Sequence, residues 1–100
     1  MDNNVYGLVR TAANLESLAH AFTNLGWEAR TSAWDEYEVE CTWCQINIFD
    51  SGGMPTFAGV VDPARVDELA GTFSTLDIDY EIELYDRAGD LARRLRPGQR

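Results

Sequence analysis

Laid over itself at an offset of 51 residues, the chain matches its own first third, with residues 6–34 falling on 57–85. Val9 meets Val60, Ala13 meets Ala64, Leu18 meets Leu69, Ala19 meets Ala70, Phe22 meets Phe73 and Leu25 meets Leu76, while Leu15 pairs with Val66 and Trp27 with Ile78. Such self-similarity means one supersecondary unit used twice, and it limits the folds open to the chain more than any other feature. Each copy starts with a β-prone stretch, at 5–10 and at 56–61, and then offers a helix N-cap: Thr11 in the first, Asp62 followed by Pro63 in the second. Apolar residues then recur at helical spacing, Leu15, Leu18, Ala19, Phe22 and Leu25 against Val66, Leu69, Ala70, Phe73 and Leu76. Gly26 stops the first helix, and period-2 segments follow at 27–34 and 77–85.

The unit is therefore β-α-β, occupying about 5–35 and 56–86. At 100 residues there is room for one domain, 1–100, with one modest core. Two such units in so small a domain predict an α+β fold, a ferredoxin-like sandwich with a mostly antiparallel sheet and both helices on one face. Residues 37–49 form an extra central element. Tyr37, Val39, Cys41 and Trp43 share one parity, and Cys44, Ile46 and Ile48 resume on the other. The switch needs a bulge or a tight turn; Thr and Trp are poor turn residues, so a bulged strand is favoured over a hairpin, followed by a turn at Ser51-Gly52-Gly53. A short C-terminal helix is expected over about 88–95, its arginines placed against the negative helix end, with a basic tail at about 96–100.

Charge excludes several functions. Seventeen acidic residues stand against eight basic ones, for a net charge of −9, which disfavours direct binding to nucleic acid or to an anionic membrane. All eight basic residues are arginines, so Schiff-base and P-loop lysine chemistry is excluded. Fourteen of the acids lie in 28–86 with two arginines, and 87–100 is basic. No apolar run approaches the roughly 20 residues of a membrane-spanning helix, and the opening MDNN has no signal-like pattern, so a soluble, cytoplasmic protein is expected.

Cys41-Thr-Trp-Cys44 has the spacing of redox and zinc sites, but it lies in strand-like sequence with no helix following. A structural zinc site wants four ligands where the chain offers two Cys and His20. The pair is read as core thiols with no required disulfide and no metal, a redox pair or a metal shared across a dimer being the alternatives. With one His, no Lys and no nucleophile beside a base, no enzyme and no cofactor are expected.

The strand faces carry the functional expectation. Ile78, Tyr80, Ile82 and Leu84 form one face, leaving Asp77, Asp79, Glu81 and Glu83 on the other, and Glu36, Glu38 and Glu40 repeat the arrangement. Like charges on neighbouring strands are destabilising, so the array reads either as a solvated, aggregation-resistant face or as a binding surface. Trp34 overlies Tyr85 in the repeat and both share the outward parity, as apolar anchors or as aromatics packed at a sheet end. Glu36, Glu38, Glu40, Asp79, Glu81 and Glu83, with Trp34 and Tyr85, are thus the candidate partner-binding residues, and a basic protein is the candidate partner.

In size, acidity, repeat-built plan and the ending Glu83-Leu84-Tyr85-Asp86-Arg87-Ala88-Gly89-Asp90-Leu91, the chain resembles small acidic bacterial immunity proteins of polymorphic toxin systems. That resemblance implies an inhibitor that neutralises a basic toxin, of which nucleases are one kind, by occlusion. An anti-restriction or anti-CRISPR inhibitor would share the physics. A small ligand-binding regulatory module of ACT-like type is the alternative of another class, and a homodimer is compatible with each. An ACT-like module wants a glycine-bearing first turn, where this chain has Arg10-Thr11-Ala12-Ala13.

Overall fold

The computed structural model describes residues 3–11 and 14–97. In chain order these form β1 (Asn3–Arg10), α1 (Leu15–Asn24), β2 (Glu28–Ala33), β3 (Glu36–Cys41), β4 (Cys44–Ser51), β5 (Met54–Val61), a 3-10 turn (Pro63–Arg65), α2 (Val66–Thr75), β6 (Asp79–Tyr85) and β7 (Leu91–Leu95). A shift of 51 residues carries β1 onto β5, α1 onto α2 and the start of β2 onto the start of β6. The repeat seen in the sequence is thus a repeat of elements.

The fold is α+β: two helices and a seven-stranded sheet ordered β2-β3-β4-β5-β1-β6-β7, with every neighbouring pair antiparallel. Sheet positions do not repeat as the elements do. The strand after α2, β6, lies beside β1, whereas the strand after α1, β2, lies at the far edge, and β4 takes the place beside β5.

Alternation decides which face is buried. Ala29, Val39, Ile46, Gly59, Val5 and Leu84 lie in one row across six strands, and Tyr37, Ile48, Phe57, Gly7, Ile82 and Leu95 form the parallel row on the same face. Both helices cover that face. Phe22 of α1 meets Phe73 of α2 edge-on at 5.9 Å, Phe73 lies 5.4 Å from Phe57, and Leu18, Leu69, Phe22 and Phe73 are each at most 1% exposed. Gly7 is required by this packing, because a Cβ there would lie 2.0 Å from the Glu81 carbonyl oxygen and 2.5 Å from the Phe57 ring.

Three sequence expectations need correction. Residues 37–49 are a hairpin, β3 and β4, turning through Thr42-Trp43 with Cys41 opposite Cys44. The parity switch that suggested a bulge is the turn itself, and packing overrides the weak turn propensity. Asp62 N–H donates to the Trp43 carbonyl at 2.8 Å, and the Trp43 ring lies edge-on to Trp27 and beneath Arg65. Register irregularities lie instead in β2, between Thr31 and Ala33, and in β6, between Leu84 and Tyr85.

The expected C-terminal helix over 88–95 is the edge strand β7. Asp86 Oδ1 accepts from Ala88 N–H and Asp90 N–H, and Gly89 takes a φ of 87°, so the residues that would have opened a helix are used in a turn. The chain emerges along the open edge of β6. Leu95 is buried and Arg94 faces the other way, which is strand alternation. Of the expected basic tail, Arg96 and Pro97 are described and 98–100 lie outside the described residues. Finally, Asn14 caps α1 in place of Thr11, accepting from Ser17 N–H at 2.8 Å, while Asp62 caps the 3-10 turn that leads into α2.

Replacing Phe22 or Phe73 by Ala should cost about 3–5 kcal/mol in urea denaturation, because each removal leaves a cavity between two helices and the sheet. Gly7→Ala should also lower the midpoint, since the added methyl meets neighbouring backbone and an immobile ring.

Candidate functional site

The sheet's second face has no helix over it and carries most of the residues singled out in the sequence. Glu36, Glu38 and Glu40 point from β3, and Asp79, Glu81, Glu83 and Tyr85 from β6. They share a face without forming one array. β4, β5 and β1 lie between, which at about 4.8 Å per strand separates the two groups by about 19 Å. Apart from Arg10 at the end of β1, the strip that fills the gap carries no charged side chains: Gln45, Asn47, Phe49, Thr56, Ala58, Val60, Tyr6 and Leu8.

Each acidic stripe is answered by arginines on the edge strand beside it. One row reads Arg30, Glu38, Asn47, Ala58, Tyr6, Glu83, Arg94 from edge to edge. On the β2 side Arg30 pairs with Glu38 and, at 3.8 Å, with Glu40, and so offsets the Glu28–Glu40 opposition in the register. On the β7 side Arg94 pairs with Glu83 at 2.8 Å and with Glu81 at 4.0 Å, and Arg96 pairs with Glu81 at 3.4 Å. Glu36 accepts from the Asn47 side-chain amide at 3.2 Å. Tyr85 donates its hydroxyl to Glu83 at 2.9 Å, and its ring stands edge-on to Tyr6. The Arg94 and Tyr85 hydrogen bonds hold the Glu83 carboxyl below its usual range, and donation to Glu83 holds the Tyr85 hydroxyl above its own.

Trp34 stands apart from this face. It forms the β2–β3 turn with Asp35, whose φ of 53° is left-handed, and it is 97% exposed. The β4–β5 turn at Gly52-Gly53 and the start of α1 lie at the same end of the sheet, and Asn14, Asp35, Asp50 and Gly53 line one shallow depression there. Among the described residues the Asp35 and Asp50 side chains make no ion pair or hydrogen bond, unlike the glutamates of the open face. Glu36 begins the strand after this turn, Glu16 lies in the first turn of α1, and Met54 is 37% exposed. The partial positive charge at the α1 N-terminus favours carboxylates here, which is how the corner tolerates so many.

Sequence reasoning found Trp34 and the outward glutamates but missed Arg30, Arg94, Arg96 and Tyr6. Arg30 shares the outward face with Glu38, a signal available in the alternation; Arg94 was hidden by the helix assignment. Asp79 faces Arg10 across the register without pairing with it. Among the described residues no three His, Cys, Asp or Glu side chains are grouped to hold a metal ion, and no helix is long and apolar enough to cross a membrane. His20 is exposed on α1. No family model, curated protein or solved structure matches the chain.

The paired carboxylates set a pH dependence. Because folding lowers the Glu83 value from its ordinary 4.5 and the Asp67 value, beside Arg93, from its ordinary 3.8, the unfolded chain takes up these protons first as pH falls. Their stabilisation is complete above the ordinary values and is lost as pH drops through the lowered ones. Arg94→Gln should flatten the fall in urea midpoint between about pH 5 and pH 3 while leaving far-UV circular dichroism at pH 7 unchanged.

Proposed function

We propose that the protein is an acidic, non-enzymatic binding module that neutralises a basic partner by occluding it, as the immunity protein of a toxin does, and that the partner's blocked surface is one built to hold nucleic acid. The observation that carries this reading is Trp34, a large apolar side chain left almost wholly in water on a turn flanked by Asp35 and Asp50, whose carboxylates pair with no arginine among the described residues. An aromatic anchor within a charged surround is the composition of a protein-binding hot spot. A surface made to grip phosphates is rich in Arg and Lys, so a net charge of −9 speeds its encounter with this protein and then masks it.

Trp34, Glu36 and Asp79 of the candidate set lie toward the turn end, and Asp35 and Asp50 belong with them. Glu38, Glu40, Glu81, Glu83 and Tyr85 serve as a preorganised flank whose charge is shared with arginines. The finer fold assignment belongs to the same proposal. β6, β1, β5 and β4 in that order, with both helices on one face, support a ferredoxin-like sandwich enlarged by the β2–β3 hairpin and by β7.

The test is the binding kinetics of a captured partner against variants. Trp34→Ala should cost about 2 kcal/mol, roughly thirtyfold in affinity, mainly as faster dissociation. Asp35→Arg with Asp50→Arg should slow association and reduce its salt dependence, and more so than Glu81→Arg with Glu83→Arg. A partner that is itself acidic, or that binds all these variants alike, overturns the proposal.

A further inference from the structure

At the opposite end of the sheet, the β3–β4 turn holds Cys41 and Cys44 directly across from each other, with two residues between them. Residues opposed in an antiparallel pair project to the same face, with Cα atoms about 4.5–5.5 Å apart, and a disulfide spans about 4.4–6.8 Å. The register therefore sets the two Cα atoms at a spacing a disulfide can span, on one face, with the strands already in place. No disulfide joins them: both are thiols.

Their surroundings differ in a way that sorts their roles. Cys41 is half-buried at the mouth of a depression lined by Gly26, Glu28, Glu40 and Thr42, whereas Cys44 is 3% exposed and part of the core. Arg65 leans over Trp43, one of the two residues between them, 5.1 Å from its ring.

We infer that Cys41 and Cys44 form a cross-strand dithiol that a hydroperoxide oxidises to an intramolecular disulfide, with Cys41 as the attacking thiol and Cys44 as the resolving one. The Cys41 thiolate attacks the hydroperoxide, breaking the O–O bond; one oxygen stays on sulfur as a sulfenic acid and the other leaves as water or alcohol after taking a proton. The Cys44 sulfur then attacks the Cys41 sulfur, the S–O bond breaks and a second water leaves with the Cys44 proton. Two electrons pass from the thiols to the peroxide, and a small thiol reverses the change by exchange. The bridge closes a ring of only four residues already held by the hairpin, so it alters stability little.

The test treats the full chain with stoichiometric hydrogen peroxide and follows intact mass and alkylation. The wild type should remain monomeric, lose the mass of two hydrogens and lose both alkylatable thiols, recovering them with dithiothreitol. Cys44→Ser should stop at a sulfenic acid trapped by dimedone on Cys41, and Cys41→Ser should be oxidised about tenfold more slowly than Cys44→Ser. Circular dichroism checks that each variant is folded. Thiols that both survive peroxide, a disulfide formed only between chains, or equal rates in the two variants would overturn the inference.

Discussion

The helices cover one side of the sheet and leave the other bare, and that one-sidedness governs the rest of the molecule. Phe22 and Phe73 meet over Phe57, and Gly7 makes room beneath, so the buried apolar core is gathered on a single face of the antiparallel sheet. The bare face must then be made stable in water by its own side chains. A seven-stranded sheet with an apolar second face would aggregate, and one with unanswered carboxylates on adjacent strands would repel itself.

The chain meets both demands with one device. Acidic residues stand on the strands next to the edges, and arginines stand on the edges themselves, Arg30 on β2 and Arg94 and Arg96 beside β6. Exposed pairs of this kind each contribute little to stability. Their larger effect is on where net charge resides. With the open face largely neutralised from within, unanswered negative charge collects at the ends of the sheet, above all at the corner of Trp34, Asp35 and Asp50.

Local information was legible in the sequence because it repeats. The offset of 51 placed both helices, the strands before them and the strand faces, since each depends on spacing within a short segment. What the sequence concealed was strand order. Nothing in Glu38 or Glu83 says that three strands lie between their own, because pairing across a sheet is decided by contacts distant in the chain. The Leu91 to Leu95 segment failed for a related reason: leucines four apart with arginines between fit a helix, and only the free edge of β6 and the Asp86–Gly89 turn make it a strand. Thr42-Trp43 turns because Asp62 and Trp27 hold it, and neither is near it in sequence.

The repeat also supplies an internal comparison for the candidate anchor. Trp34 and Tyr85 occupy equivalent positions, 51 residues apart, each at the end of the strand that follows its helix. Tyr85 is what a structural aromatic looks like there: its ring packs on Tyr6 and its hydroxyl is bonded to Glu83. Trp34, with a larger apolar surface to hide, has been carried to the sheet's far edge by the β3–β4 hairpin and placed on a turn, where no neighbouring ring covers it. Isolated exposed apolar residues are ordinary on protein surfaces. An exposed tryptophan beside aspartates that pair with nothing among the described residues, in a molecule that packs its equivalent aromatic, is the contrast on which the proposed binding role rests.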